Sequence, residues 1–285
     1  MASQEANLLA IDLDIPQDAV RGEIVTAIVR VRNISDQALS VSSRLNIFES
    51  DLRIMTTFPN KRRVGMQGII LHDSLPRIKE LKPRQEIKSC ANIFYTNVGL
   101  TFNELGSYAL QAEYWPSVKM TKVLSDQKVV YTRPAVDGEQ RDLERLTMVE
   151  RVGRSIAIGD AGNDEEVIGS LEQVANRFSK TKSGVLAALV LGNTFSRELR
   201  DLRTGDIVRK KDQSKSDEIL DPVFKANDPI FVALMIRAIV PIPPSKGKEG
   251  SLILKYNRYL DSAYSPTTVN ADLRVISKAR EILFL

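Results

Sequence analysis

The chain carries one histidine, His72, and one cysteine, Cys90. A Cys/His zinc site, an intramolecular disulfide and a His-paired metal centre each need several such groups, so none can be built within this chain. His72 sits between Ile69-Ile70-Leu71 and Asp73, where a lone imidazole at a strand end reads as structural. Neither G-x-x-x-x-G-K-[ST] nor G-x-G-x-x-G occurs, which argues against nucleotide chemistry. Gly153-Arg154-Ser155-Ile156-Ala157 lacks the second glycine of a nucleophile elbow and falls inside a helical pattern. Ser-x-x-Lys occurs at Ser125 to Lys128 and at Ser179 to Lys182, without the companion motifs of a serine-lysine acylase. The acidic run Asp160 to Glu166 does not have EF-hand spacing and reads as a helix start whose carboxylates complement the macrodipole. No catalytic, cofactor-binding or metal-ligating residue is therefore assigned, and no cofactor is expected. A pair of carboxylates distant along the chain, within about 5 to 10 Å across a cleft, would still permit a hydrolase.

The residues suited to chemistry of another kind are aromatic and basic. Trp115 follows Tyr114 and precedes Pro116, where a rigid ring in a loop makes a contact patch; a rival reading has it fill the junction between strands and helices. Phe58 and the run Lys61, Arg62, Arg63 read as part of a strand and protruding loop that meets a partner. Lys61 to Arg63, like Arg209 to Lys211, also fits a plain solvated loop.

These residues must be held by elements, and the chain supplies two kinds. Leu9, Ile11, Leu13 and Ile15 alternate with polar residues, as do Val25, Ala27, Val29 and Val31, the period of half-buried strands. Leu39, Val41, Leu45 and Ile47 form a third such run interrupted by Ser43, and others are expected at Gly68 to Leu71, Glu86 to Tyr95, Tyr108 to Tyr114, Val118 to Leu124 and Lys128 to Tyr131. About eight short strands bounded by turn residues predict an antiparallel sandwich. Leu81-Lys82-Pro83, the strand after it, and Phe102-Asn103-Glu104-Leu105-Gly106-Ser107-Tyr108-Ala109-Leu110 resemble the late strands of bacterial immunoglobulin-like modules, over residues 7–132. The resemblance implies a tight entry at Gly106 and a buried Tyr108 ring whose hydroxyl bonds nearby backbone. Arg84 stands where those modules have a turn glycine, and the cysteine pair and strand tryptophan of antibody domains are missing.

After Pro134 the period becomes helical. Asp137 and Gln140 resemble a capping box before Leu143, Leu146, Val149, Val152 and Ile156. Gly159 to Asn163 breaks that helix. One helix starts at Asp164 and another at Ser183, a pair resembling a single tetratricopeptide-like unit. Thr204 to Asp217 is polar and aperiodic and reads as a loop. Asp228-Pro229, Ser251 and Ser265-Pro266 open further helices, making about six.

The reading is a multidomain β + α chain: an N-terminal antiparallel immunoglobulin-like β-sandwich (7–133), packed or hinged against a C-terminal all-α helical bundle (137–285) with a polar loop at 204–217. Lys and Arg number 40 against 36 Asp and Glu, and neither half is basic, so no nucleic-acid partner is expected. No apolar stretch reaches the roughly 18 residues of a membrane helix; Ile230 to Pro244 contains Arg237 and prolines. Met1 to Asn7 lacks secretory features, which fits either a cytoplasmic protein or an exported one whose leader was replaced by a cloning remnant. The expected function is non-enzymatic protein binding, as a bacterial scaffold or adhesion-type accessory protein using sandwich loops and a helical groove, with the oligomeric state open. The alternatives are a proteinase inhibitor with the Thr56 to Gly65 loop, and a carboxylate hydrolase at the domain cleft.

Overall fold

A computed structural model describes residues 8–70, 77–117, 120–201, 203–240, 252–263 and 273–284. His72, Val118 and the Ser265-Pro266 cap lie outside them. Thirteen strands come first: β1 (Leu9–Asp14), β2 (Asp18–Val20), β3 (Thr26–Asn33), β4 (Leu39–Ser42), β5 (Leu52–Thr57), β6 (Arg63–Met66), β7 (Ile78–Leu81), β8 (Glu86–Asn92), β9 (Tyr95–Thr96), β10 (Gly99–Leu100), β11 (Gly106–Tyr114), β12 (Val123–Leu124) and β13 (Lys128–Arg133).

One sheet has the order β1-β3-β8, the other β2-β13-β11-β5-β6 with β12 beside β11; β4-β7 and β9-β10 are separate pairs. The alternation read from the sequence decides which side faces in. Leu13, Val29 and Ser89 line up across the first sheet, and Ile54 and Ala112 across the second, all buried. The pairing is not wholly antiparallel as expected, because β2 runs parallel to β13, with Tyr131 opposite Asp18. Pro16 lies between β1 and β2, where its missing N–H suits a break in the ladder, so the first stretch of chain leaves one sheet and joins the other. Two other expected strands fail. Residues 68–70 form no ladder and the strand sits earlier, at β6; among the described residues of the 118–124 run, 120–124, only β12 is extended.

The Gly106 and Tyr108 expectation is met. Gly106 adopts φ +123°, which a side chain resists, and the Tyr108 hydroxyl donates to the Glu104 carbonyl and accepts from the Glu104 N–H, both at 2.9 Å. Burial pushes its pKa up to about 12. Arg84, in place of the turn glycine, is held at φ +63°.

Eight helices lie among the described residues: α1 (Gly138–Thr147), α2 (Glu150–Ile158), α3 (Glu165–Arg177), α4 (Lys182–Phe195), α5 (Gln213–Ala226), α6 (Pro229–Ile239), α7 (Leu252–Ala263) and α8 (Leu273–Leu283). A small hairpin, β14 (Leu199–Arg200) with β15 (Ile207–Arg209), precedes α5. Asp137, Asp164 and Asp228 each accept a backbone N–H three residues on, the expected caps. Two expectations need correction. The single helix from Asp137 is two, separated at Met148-Val149. The polar loop at 204–217 is instead hairpin and helix start: Asp212 caps α5, whose apolar stripe of Leu220 and Phe224 begins only after the polar run ends. Helix α4 is buried on all sides, a central rod against which α3, α5 and α6 pack. No helix of the described residues is long and apolar enough to cross a membrane.

Sheets and helices share one hydrophobic core running from Leu9 to Leu283, so the two parts are packed rather than hinged. The seam lies along β8, where α6 and α8 pack and where Ser89 to Asn92 are buried on both faces. Buried amides satisfy the polar backbone there. Asn46 Nδ2 donates to the carbonyls of Cys90 on β8 (3.1 Å) and Arg237 on α6 (3.2 Å), while its Oδ1 accepts from Phe48 N–H. Asn92 Nδ2 reaches the Ile156 carbonyl on α2 at 3.3 Å. The Ile24 N–H donates to Ser183 Oγ, and Thr147 Oγ1 to the Gly22 carbonyl. Gly22, at φ +93°, is required here: a Cβ would sit 2.5 Å from Glu144 Cα.

Asn46→Ala strands three buried backbone groups at once and is expected to lower the unfolding free energy by about 2 to 3 kcal/mol in urea titration. A loss below about 0.5 kcal/mol would show that apolar packing alone holds the seam.

Across the same seam, Lys79 on β7 bonds Glu281 on α8 at 2.8 Å, and Lys278 bonds its other oxygen at 3.0 Å. Burial alone would raise the Glu281 carboxyl, but the two ammonium groups outweigh it and hold it below the usual range. A depressed folded pKa stabilises fully above the unfolded value of about 4.3, and the gain disappears as pH falls through the folded value. Melting temperatures recorded from neutral to acid pH should therefore fall less steeply in Glu281→Gln than in the parent; superimposable acid limbs would contradict this.

Candidate functional site

Alternation along β13, β11, β5 and β6 turns odd-numbered residues away from the core, and these make the outer face of the six-stranded sheet. The register brings Val129 beside Ala109 and Ala109 beside Thr57, with Tyr131 beside Ser107 and Gln111 beside Met55. Val129 is 51% and Tyr131 52% exposed. Val129, Ala109, Thr57, Gln111 and Met55 carry no charge, in a chain where 27% of residues are charged, while at the β2 border Tyr131 stands beside Asp18, which is ion-paired to Arg133 at 3.3 Å. An exposed antiparallel face is ordinarily its polar side, so a Tyr, Val and Met surface there is a departure from the usual alternation.

Basic residues close both ends. At one end the β5–β6 hairpin turns through residues 58–62, with Phe58 N–H to Arg62 carbonyl and Lys61 N–H to Phe58 carbonyl both at 2.8 Å. Lys61, Arg62 and Arg63 are exposed there, and Lys61 takes φ +66° in the turn. Phe58 is not a surface residue. It is 3% exposed and packs edge-on against the Tyr108 ring at 5.5 Å, while the Arg62 guanidinium covers it at 4.6 Å. Its neighbours' charge masked its role in the sequence.

At the other end Trp115 lies on the same side as Arg53, whose guanidinium is 5.5 Å from the ring, with Lys122 at 5.6 Å. It therefore belongs to this face and not to the junction with the helices. Thr57 pairs with Ala109, six residues before Trp115, which separates the two basic ends by roughly 20 Å. Arg63 and Trp115 thus share one face without touching. The face between them escaped sequence reading because each strand contributes only two or three of its residues.

Two open cavities hold carboxylates. One, of about 740 Å³, is lined by Asp12 and Asp14, which Arg30 bonds at 3.0 and 2.7 Å. The other, of about 910 Å³, lies between α5 and α7 and contains Asp217 and Asp221. Burial would raise Asp217, but hydrogen bonds from Lys255 and Gln213 hold it below the usual carboxylate range. A proton-donating glycosidase acid needs the opposite shift.

No family model matches the chain, and no curated protein matches it. Among solved structures it is similar to a β-glucosidase from Listeria innocua (16% identity, 45% of this chain, 16% of that chain, TM-score 0.26). It is also similar to a CARDB domain from Pyrococcus furiosus, solved in complex with di-metal ions (11% identity, 44% and 87%, TM-score 0.27). A third is the sporulation control protein Spo0M of Bacillus subtilis (13% identity, 52% and 54%, TM-score 0.29). The chain thus spans about a sixth of the β-glucosidase. At these scores the likenesses assign neither a family nor a function.

The contrast between the two aromatic residues is measurable. Phe58→Ala should cost about 3 to 5 kcal/mol of stability, as for other buried rings, whereas Trp115→Ala should cost less than half as much in the same denaturant titration. Equal losses would mean that Trp115 is a core residue.

Proposed function

We propose that the N-terminal sandwich is an immunoglobulin-like module and that the chain is a non-enzymatic protein-binding scaffold, with the outer face of the six-stranded sheet as its partner-binding surface. The observation that carries this is the uncharged surface of Val129, Ala109, Thr57, Gln111 and Met55, with Tyr131 and the Asp18–Arg133 pair at its border and a surplus of cations at its ends, Lys61 to Arg63 on one side and Arg53 and Lys122 beside Glu113 on the other. Interfaces place aromatic and apolar groups at the centre and charge at the rim, the distribution found here. The basic rims favour a partner whose own border is acidic. The immunoglobulin-like assignment draws on the Tyr108 to Glu104 corner, the Gly106 entry and the passage of the first strands from one sheet to the other.

Against the inhibitor alternative, the hairpin at residues 58–62 is closed by its own backbone bonds and anchored by Phe58, leaving no extended loop to enter a protease. Against the hydrolase alternative, the cavity carboxylates are paired with cations.

The test is cross-linking in the native cells followed by affinity capture, comparing the parent with a Val129→Glu, Tyr131→Glu double variant. Both side chains are half exposed, so the variant is expected to keep the parent's circular dichroism and melting temperature. A stoichiometric partner held by the parent and lost from the variant supports the proposal. A partner retained by the variant, or none captured by the parent, overturns it.

A further inference from the structure

The helical part carries a second open surface, independent of the sheet face. Helices α5 and α7 flank the groove of about 910 Å³. Its floor is aromatic: the buried Phe224 ring lies 5.4 Å from Tyr259, which stacks on Tyr256 at 5.9 Å. Around the rim stand Lys211, Lys225, Lys255 and Arg258 against Asp217 and Asp221, a surplus of two positive charges. Lys255 is answered by Asp217, and Lys225 by Asp221 at 3.7 Å. The side chains of Lys211 and Arg258, one on each side of the groove and both exposed, form no hydrogen bond or ion pair with the described residues, though Lys211 acts on Asp217 through space.

A surplus of cations spread over two walls above an apolar floor suits an anionic ligand that also brings aliphatic or aromatic groups. The two aspartates narrow the choice. An unbroken row of phosphates would be driven against Asp221, whose side chain is 53% exposed. An acidic peptide instead offers carboxylates to Lys211 and Arg258 and backbone N–H groups to the aspartates. The geometry points to a docking groove for an acidic peptide segment of another protein, lying between α5 and α7 with an apolar side chain on Tyr259 and carboxylates on Lys211 and Arg258.

The probe is a short fluorescein-labelled peptide of alternating glutamate and leucine, titrated with the full chain at low salt and followed by anisotropy. Saturable binding is expected, weakened at least about tenfold by Lys211→Glu with Arg258→Glu and weakened also by Tyr259→Ala. Both reversed residues are exposed, and unchanged circular dichroism checks that the fold survives. Val129→Glu with Tyr131→Glu should leave peptide binding intact, which keeps failure of the groove distinct from failure of the sheet face. Absence of saturable binding, binding indifferent to the charge reversal, or tighter binding of a matched oligouridylate would each overturn the inference.

Discussion

A strand at the border of a sheet presents a row of N–H and C=O groups that must find partners or water. β8 is such a strand: β3 pairs with one side of it, and among the described residues no other strand pairs with the opposite side. Helix α6 lies along it instead, and the fit depends on groups that satisfy polar backbone without a ladder. Asn46 does this twice over, binding a carbonyl from each side of the seam. Asn92 and Ser183 do the same for α2 and for the chain entering β3. Each such amide or hydroxyl is buried, where an unmade hydrogen bond is costly, so the helices can dock on the sandwich in one register only. Arg237 marks the expense of that arrangement. It is fully buried in α6, burial pushes its pKa down to about 10, and the nearby Glu49 only partly offsets this.

A single docked register makes the two parts one body. The outer sheet face and the α5–α7 groove are then presented at a fixed mutual angle, which suits a scaffold better than a pair of hinged modules would. The sheet face is built from rigid strands with Trp115 held between Arg53 and Lys122. The groove is built from helices that rest on α4, itself buried on every side. Neither surface depends on a long loop, so binding at either would cost little ordering entropy.

Much of this was legible one residue at a time. Gly106 and Tyr108 announced their corner through the resemblance to immunoglobulin-like modules, in which a glycine and a tyrosine open a late strand. Asp137, Asp164 and Asp228 announced helix starts because a carboxylate before an apolar period has an orphan N–H to bind. Other features were hidden because their signal is distributed. α5 opens with a full polar turn before Ile219 and contains Pro222, so its period starts late and is interrupted. The groove it forms with α7 was unreadable for the same reason. Phe58 was misread through its neighbours, since three adjacent cations suggest solvent while its own ring points the other way. The uncharged sheet face required knowing that Val129, Ala109 and Thr57 stand side by side, which depends on register and not on any local run.

The placement of α6 has a bearing on how the chain comes off the ribosome. β8 ends at Asn92 and α6 at Ile239, so the cover is complete only 147 residues after the strand. At about 5 to 20 residues per second, translation leaves that flank bare for roughly 7 to 30 s. Through that interval the nascent sandwich displays a naked apolar border, a natural landing site for a chaperone until its own late-made helix arrives.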